Sequence, residues 1–338
     1  MIEKHCVVLA ARPAGAPQES DFRIEARTLR APEAGEILCQ NLFISLDAGF
    51  RNWMDEDSGD AVLPAMPLNE PVMGLTLSRV VETAHPDYAV GDLLMARFAW
   101  ETHTLTRADD FIARVPAETE LPLSYYLGVL GDTGLSAYFG LLDHGAVQPG
   151  ATVLVSAAAG AVGSVAGQIA GKVLGARAVG ICGDDEKGRR LVEELGFDDY
   201  VNRRAPDFAQ ALATACPDGI DVYFDNVGGP LLETVLDQIN EEARILLCGA
   251  VATYGQGEEP HPGPRNLFQL TTKRARMQGF MTHLQLDRYD TARAEIAGWI
   301  KAGKLAVPEY RLEGIDAVGR AFCDLFRGAN FGKTVVAL

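Results

Sequence analysis

The run "ATVLVSAAAGAVGSVAGQIAG" (residues 151–171) constrains this chain more than any other part of it. No Asp, Glu, Lys or Arg stands between His144 and Gly171. So long an uncharged stretch invites a membrane reading, and Gly163, Gly167 and Gly171 repeat the GxxxG spacing of packed transmembrane helices. The residues argue otherwise. Alanine and glycine dominate, Pro149-Gly150 places a turn where a span would begin, and no Trp, Tyr or basic cluster brackets the run. Divided in two, the run reads as a soluble unit. "ATVLVS" (151–156) has the apolar, β-rich pattern of a buried strand, and from Ala161 to about Gly175 the pattern is helical. Between them lies Ala158-x-Gly160-x-x-Gly163, a dinucleotide fingerprint with alanine in place of its first glycine. Small residues are needed there because the backbone must approach a pyrophosphate closely, with the helix N-terminus supplying N–H groups and positive dipole. Gly163, Gly167 and Gly171 then share a helix face that is expected to pack tightly on the sheet.

A lone glycine motif is weak, so its surroundings decide. "ARAVGICG" (176–183) reads as a second strand, followed by a helix near 185–195, a short strand at "DDYVN" (198–202) and a helix near 206–215. "IDVYFDNVGG" (220–229) and "ARILLCGAV" (243–251) continue as strand–turn units. Such alternation predicts a doubly wound parallel sheet, a Rossmann domain. At 338 residues the chain is long for one core, which favours two domains. The remaining residues bound the function. Thirty Lys and Arg against 46 Asp and Glu give a net charge of −16, which disfavours nucleic acid and anionic membrane surfaces as partners. The six cysteines are scattered without a CxxC pair, as expected of free thiols in a reducing compartment rather than of a disulfide or zinc framework. The N-terminal apolar run of six residues before Arg12 is too short for a signal peptide, so a cytoplasmic protein is expected.

The choice between NAD(H) and NADP(H) rests on the end of the second strand. An acid about 20 residues after the glycines binds the ribose hydroxyls, whereas a base there binds the 2′-phosphate. Asp184 fits the first role. Lys187, Arg189 and Arg190 directly behind it, with Arg203 and Arg204, fit the second. These bases could also form a solvated helix face balancing Glu186, Glu193 and Glu194. NADP(H) is expected on local charge, with NAD(H) as the alternative because of Asp184.

Other chemistries lack support. There is no Tyr-x-x-x-Lys and no Gly-x-Ser-x-Gly. "GANFGKT" (328–334) resembles a phosphate-binding P-loop but is one residue short and has no room for the following helix. Histidines 5, 85, 103, 144, 261 and 283 show no metal-ligand spacing, so no metal site is expected, and His103 and His144 read as ordinary surface or interdomain residues.

The motifs together resemble the zinc-independent medium-chain dehydrogenase/reductases, in particular the prostaglandin reductase and alkenal double-bond reductase branch. The resemblance covers nearly the whole chain and is carried by "GLSAYFGLL" (134–142), "AAAGAVGSVAGQIAG" (157–171), "DEKGRRLVEELGFD" (185–198), "YFDNVGG" (223–229), "CGAVATY" (248–254) and "GANFGK" (328–333). It implies a GroES-like, β-rich catalytic domain over 1–121, completed by 305–338, with a Rossmann domain over 122–304 and the cofactor cleft between them. Short β-like runs such as "VMGLTLSRVVE" (72–82) and "GDLLMARFAW" (91–100) are compatible with that. Homodimers through the Rossmann domain are common in the family, so a homodimer is expected.

Residue roles follow where the motifs match. The resemblance implies that Gly160, Ala161, Val162 and Gly163 face the pyrophosphate and that Lys187 meets the 2′-phosphate, with Arg203 at a position usually held by tyrosine. Asn226, Cys248, Gly249, Ala250, Phe280, Met281 and Asn330 match cofactor-contacting positions. Tyr254 matches the tyrosine that reaches the substrate carbonyl. The implied reaction is hydride transfer to the β-carbon of an α,β-unsaturated carbonyl, with Tyr254 donating to the developing enolate oxygen or packing over the cofactor. Phe50 and Asp132 fall in the substrate pocket, where the sequence departs from the branch. Its "DPYMR" reads Asp47-Ala48-Gly49-Phe50-Arg51 here, and its Met-Pro before "GLTAY" reads Asp132-Thr133. A carboxylate near an apolar pocket is costly unless paired, so Asp132 is expected to face solvent, find a base or read a polar substrate group. A quinone reductase of the same superfamily and a non-catalytic NADPH-binding protein are the competing readings.

Overall fold

The computed structural model describes residues 1–60, 63–116, 118–254 and 263–338; His261 lies outside the described residues. The alternating pattern after residue 150 forms a six-stranded, all-parallel sheet. Its spatial order is Asp199–Asn202, Arg177–Cys182, Thr152–Val155, Ile220–Asp225, Ile239–Leu247 and Arg276–Gly279. Both faces are covered, as continuous apolar strands require. Val153, Val155 and Phe224 pack into one core, whereas Leu154, Tyr223 and Ile245 pack into the other. Strand order reverses between Thr152–Val155 and Ile220–Asp225, which opens a crevice at their C-terminal ends.

The helix Ala161–Gln168 runs on into a π-helical segment, Ile169–Val173. Its glycine face explains its closeness to the sheet. A Cβ on Gly163 would lie 2.4 Å from the Ala157 carbonyl oxygen, and one on Gly167 would lie 1.9 Å from the Phe197 ring. At Gly171 the nearest atom would be 3.6 Å away, an ordinary contact, so the third glycine of the face is not sterically required.

The fifth strand begins at Ile239, earlier than its apolar core at residue 243 suggests, because the polar Asn240-Glu241-Glu242 belongs to it. Its register against Ile220–Asp225 shifts there, and Glu242 adopts φ 60°, so an irregularity hides the strand's pattern. The edge strand Arg276–Gly279 is short and mostly exposed, and its one apolar residue, Met277, is too little to mark it as a strand.

Besides a two-stranded antiparallel ribbon, Ile2–Leu9 with Phe22–Leu29, a second large sheet has seven strands and is mostly antiparallel. Ile37–Leu46 and Met73–Thr83 form its centre, flanked by Leu93–Ala99 and Ile112–Val115 on one side. The chain's last strand, Lys333–Ala337, pairs antiparallel with Ile37–Leu46 and parallel with Glu309–Glu313, so the C-terminus returns to complete the sheet begun near the N-terminus. The helix Val318–Arg327 covers it, with Phe322 packed edge-on against the fully buried Trp100 at 5.1 Å. The two sheets are tied directly. Gly332 forms a parallel bridge with Gly160, its N–H donates to the Ala159 carbonyl at 2.8 Å, and its φ of 79° suits glycine. The segment that resembles a P-loop is therefore a clasp between the glycine turn and the returning strand.

Candidate active site

A cleft of about 980 Å³ is lined from both sheets and from the crevice where the parallel strand order reverses. One end is made of backbone. Ala157, at φ 47°, turns the chain sharply out of the strand, and Gly160 caps the helix Ala161–Gln168 in an extended conformation. Gly160, Ala161, Val162 and Gly163 all line the cleft. The first turn of a helix leaves N–H groups without intrahelical acceptors and carries partial positive charge. Together with the absent side chains, this is a cradle for an anion.

Behind it lies a basic corner. Lys187, Arg203 and Arg204 line the cleft, and neither guanidinium has a carboxylate partner among the described residues. The Lys187 ammonium donates to the Gly328 carbonyl at 2.5 Å, and burial pushes its pKa down, a cost that a bound phosphate would relieve. Arg190 belongs elsewhere. It pairs with Glu194 at 2.6 Å and lies 3.8 Å over the Phe331 ring, as a solvated helix face predicts. Asp184 also borders the cleft, but its Oδ1 accepts the Lys187 N–H at 2.9 Å and caps the helix Asp185–Leu195. The acid suited to a ribose is thus committed, in part, to starting the helix that presents Lys187.

The middle of the cleft is held by a network the sequence reading missed. Asp225, fully buried at the end of its strand, accepts through Oδ1 from Ser156 Oγ at 3.0 Å, Tyr223 Oη at 2.8 Å, and the N–H groups of Val227 and Gly228, both at 2.9 Å. Asn226 Nδ2 donates to the Ser156 carbonyl at 2.8 Å. These bonds fix the turn that carries Asn226 and Val227 into the cleft. The only hint in the sequence is an acid closing an apolar strand.

The next strand, Ile239–Leu247, is followed by Cys248-Gly249-Ala250. The Ala250 N–H donates to Tyr254 Oη at 3.2 Å, so the phenol oxygen is positioned by backbone while its own proton stays available. Burial raises the Tyr254 pKa, which keeps that proton in place at neutral pH. Burial also pushes the Cys248 thiol up to about 12 and the Cys182 thiol, at the end of the second strand, up to about 11. Both cysteines line the cleft.

The other end is a chamber of side chains from separated elements. Phe50 and Trp53 come from the turn Ala48–Trp53, which is pinned by the buried Arg51 through its bonds to the Gly15 and Pro13 carbonyls at 3.0 and 2.8 Å. Leu75, Met95 and Phe111 come from three strand or loop positions, and Tyr289 opens a distant helix. Beneath them the buried Lys333 ammonium donates to Asp47 and, at 3.1 Å, to the Leu46 carbonyl. Asp132, first residue of the helix Asp132–Phe139, lines this end and accepts from Thr282 Oγ1. Asp132 is exposed, its carboxyl opening on the cleft, and partial desolvation by the surrounding wall raises its pKa.

The structure therefore brings the glycine turn, Lys187, Arg203, Asn226, Cys248, Gly249, Tyr254, Asn330, Phe50 and Asp132 to one cleft. Ala250 acts from behind through its N–H. Phe280 and Met281 stand outside the lining. The Phe280 ring packs against His144 at 5.3 Å and Phe224 at 6.1 Å, and Met281 is exposed. Among the described residues no group of three or more His, Cys, Asp or Glu is placed to hold a metal ion.

Comparison with known proteins agrees with this geometry. Residues 5–113 match a family described as the N-terminal domain of oxidoreductase, and residues 161–297 match one described as zinc-binding dehydrogenase. The donors present do not fit the metal in that second description. The chain is 40% identical over 334 residues to the NADPH-dependent curcumin reductase of Escherichia coli (strain K12), covering 97% of this chain and 95% of that protein. It is 36% identical over 334 residues to the NADP(+)-dependent 2-alkenal reductase of Nicotiana tabacum, covering 98% and 96%. The crystal structure of CurA in complex with NADPH from Vibrio vulnificus superposes with a TM-score of 0.91 at 36% identity over 98% of each chain.

Proposed function

The chain belongs to the zinc-independent medium-chain dehydrogenase/reductases, and from that premise we propose that it reduces the C=C bond of α,β-unsaturated aldehydes and ketones with NADPH. The observation that carries this reading is a cleft with a cradle of backbone and small residues beside a basic corner at one end and an apolar chamber at the other, where the Tyr254 phenol proton has no acceptor among the described residues. The glycine turn and Asn226 would hold the dinucleotide, with Lys187 and Arg203 on its 2′-phosphate. NADPH, when bound, supplies the hydride that the substrate's β-carbon accepts. Tyr254 donates a hydrogen bond to the carbonyl oxygen as negative charge develops there, and the chamber excludes water from the reacting atoms. Domain limits of 1–121 with 305–338, and of 122–304, suit the two sheets.

We also propose a homodimer in a reducing, cytoplasmic setting. The outer side of Arg276–Gly279 has no sheet partner among the described residues, and Phe268, Met281 and Leu284 are exposed near it in sequence. All six cysteines are free, and no described helix is long and apolar enough to cross a membrane. The deciding experiment follows NADPH and NADH consumption with short alkenals, aryl enones and a quinone. Enone turnover with NADPH well above NADH is expected. NADPH binding without turnover of any acceptor would overturn the enzyme reading, and sedimentation at the monomer mass would overturn the dimer.

A further inference from the structure

Asp132 is a carboxyl in the otherwise mostly apolar end of the cleft. Leu75, Met95, Phe50 and Trp53 surround the same space, and desolvating an acid among such groups is costly unless something bonds to it. In the open cleft solvent reaches the exposed carboxyl, so the cost arises when a substrate fills the chamber, and the protein then meets only half of the requirement. Thr282 donates to Oδ1, but Oδ2 has no hydrogen-bond partner among the described residues. The charged groups that face it, Asp47, Lys333 and His283, do not fill the vacancy. Lys333 is committed to Asp47 and the Leu46 carbonyl, and His283 acts on Asp132 only through its field. Thr133, next along the same wall, has a buried hydroxyl that is also without a partner among the described residues.

The backbone on either side is wedged, since a Cβ on Gly131 would lie 2.3 Å from the Tyr126 carbonyl oxygen and one on Gly134 would lie 1.8 Å from that of Val129. The helix dipole favours an acid in this first turn. That explains how the carboxyl is tolerated, but an acid on the outer surface would serve the dipole equally well, so the dipole does not account for its place in the cleft wall.

We propose that Asp132 determines substrate specificity: its open oxygen takes a hydrogen bond from a hydroxyl on the body of the substrate. The chamber thereby prefers enones that carry a hydroxyl or phenol and rejects those that carry a carboxylate. The inference rests on the enone-reductase reading above. It follows from the general asymmetry that a site with an unfilled polar partner discriminates strongly against ligands that leave it unfilled. Like charge against a carboxylate adds repulsion to that loss.

The test compares benzalacetone with its para-hydroxy and para-carboxy derivatives, in the wild-type protein, Asp132→Asn and Asp132→Met, at saturating NADPH. Wild type should favour the hydroxylated over the unsubstituted enone by about 10–100-fold in kcat/KM, mostly through KM, with the carboxylated one slowest. Asp132→Met should bring the hydroxyl preference close to unity. Asp132→Asn, which still offers an acceptor oxygen, should keep much of the hydroxyl preference while admitting the carboxylate. Equal kcat/KM for all three substrates in wild type, or an unchanged preference in Asp132→Met, overturns the inference and leaves the reductase reading standing. Should Asp132→Met fail to fold, continued rejection of the carboxylate by Asp132→Asn overturns it. If wild type consumes NADPH with none of the three, the reductase reading falls, and this inference with it.

Discussion

Gly163 and Gly49 stand at opposite ends of one cleft, and a single added carbon separates them. At Gly163 a Cβ would lie 2.4 Å from a backbone oxygen, whereas at Gly49 it would meet nothing within 4 Å. The nucleotide end is made of backbone held at contact distance by other backbone, with Gly332 bridged to Gly160 and Asp225 gathering four donors under the next turn. The substrate end is made of side chains projected from unconnected elements, with room left over. An end built from backbone tolerates almost no change, while one built from side chains can be refitted one residue at a time. Two departures from the family's pattern, Gly49 and Asp132, fall at the permissive end, and the one at the nucleotide end, Arg203, is a side chain of the basic corner rather than part of the glycine turn.

Substitutions at the two ends should have unequal effects. Gly163→Val should destabilise the protein by about 3 kcal/mol or more and abolish NADPH binding, read by thermal melting and by NADPH fluorescence. Gly49→Ala should leave the melting temperature unchanged; equal effects at the two glycines would refute the contrast. Tyr254→Phe, which removes a phenol proton without an acceptor among the described residues, should lower kcat for enones by roughly 10²–10³ at unchanged NADPH affinity. A loss confined to NADPH binding would instead assign Tyr254 to packing. Lys187→Ala should raise KM for NADPH about 10–100-fold with little effect on NADH, the worth of one charge-assisted bond of about 1.5–3 kcal/mol.

Asp184→Ala should cost about 1 kcal/mol of stability as a lost helix cap, with the NADPH to NADH ratio held within a few-fold. A large swing in that ratio would make Asp184 a ribose reader after all. The smallest effect concerns pH. The folded-state pKa of Asp132 is raised above its unfolded value, so its ionisation disfavours folding. The associated loss of stability is absent below the unfolded pKa and complete above the folded one. Asp132→Asn should therefore raise the melting temperature more at pH values above that window than below it.

How far each end was legible follows from its construction. The parallel sheet and glycine turn could be read because each strand is a contiguous apolar run and the turn needs small residues at fixed spacing. Lys187 could be found because it lies one helical turn past the second strand. The edge strand Arg276–Gly279 could not, since an exposed polar strand has no pattern of its own. Residues such as Leu75, Phe111 and Tyr289 meet only in three dimensions, and nothing in their neighbours marks them. The Asp225 network lies between these cases: its acid is visible at the end of an apolar run, but its four donors come from three separate positions in the chain. The resemblance to a family identified Tyr254, Asn226 and Asn330, which local pattern alone would have left as loop residues.

The two thiols in the cleft bear on how such an enzyme survives its own substrate. An activated alkene is an alkylating agent, and the species it attacks is the thiolate. With its pKa pushed to about 12, Cys248 is ionised in roughly one molecule in 10⁵ at neutral pH, and Cys182, at about 11, in roughly one in 10⁴. Burial thus does more than fill space around the cofactor cradle. It keeps Cys248, the thiol near Asp132 and the chamber, unreactive while an electrophile is held close by for reduction, and keeps Cys182 equally unreactive at the nucleotide end.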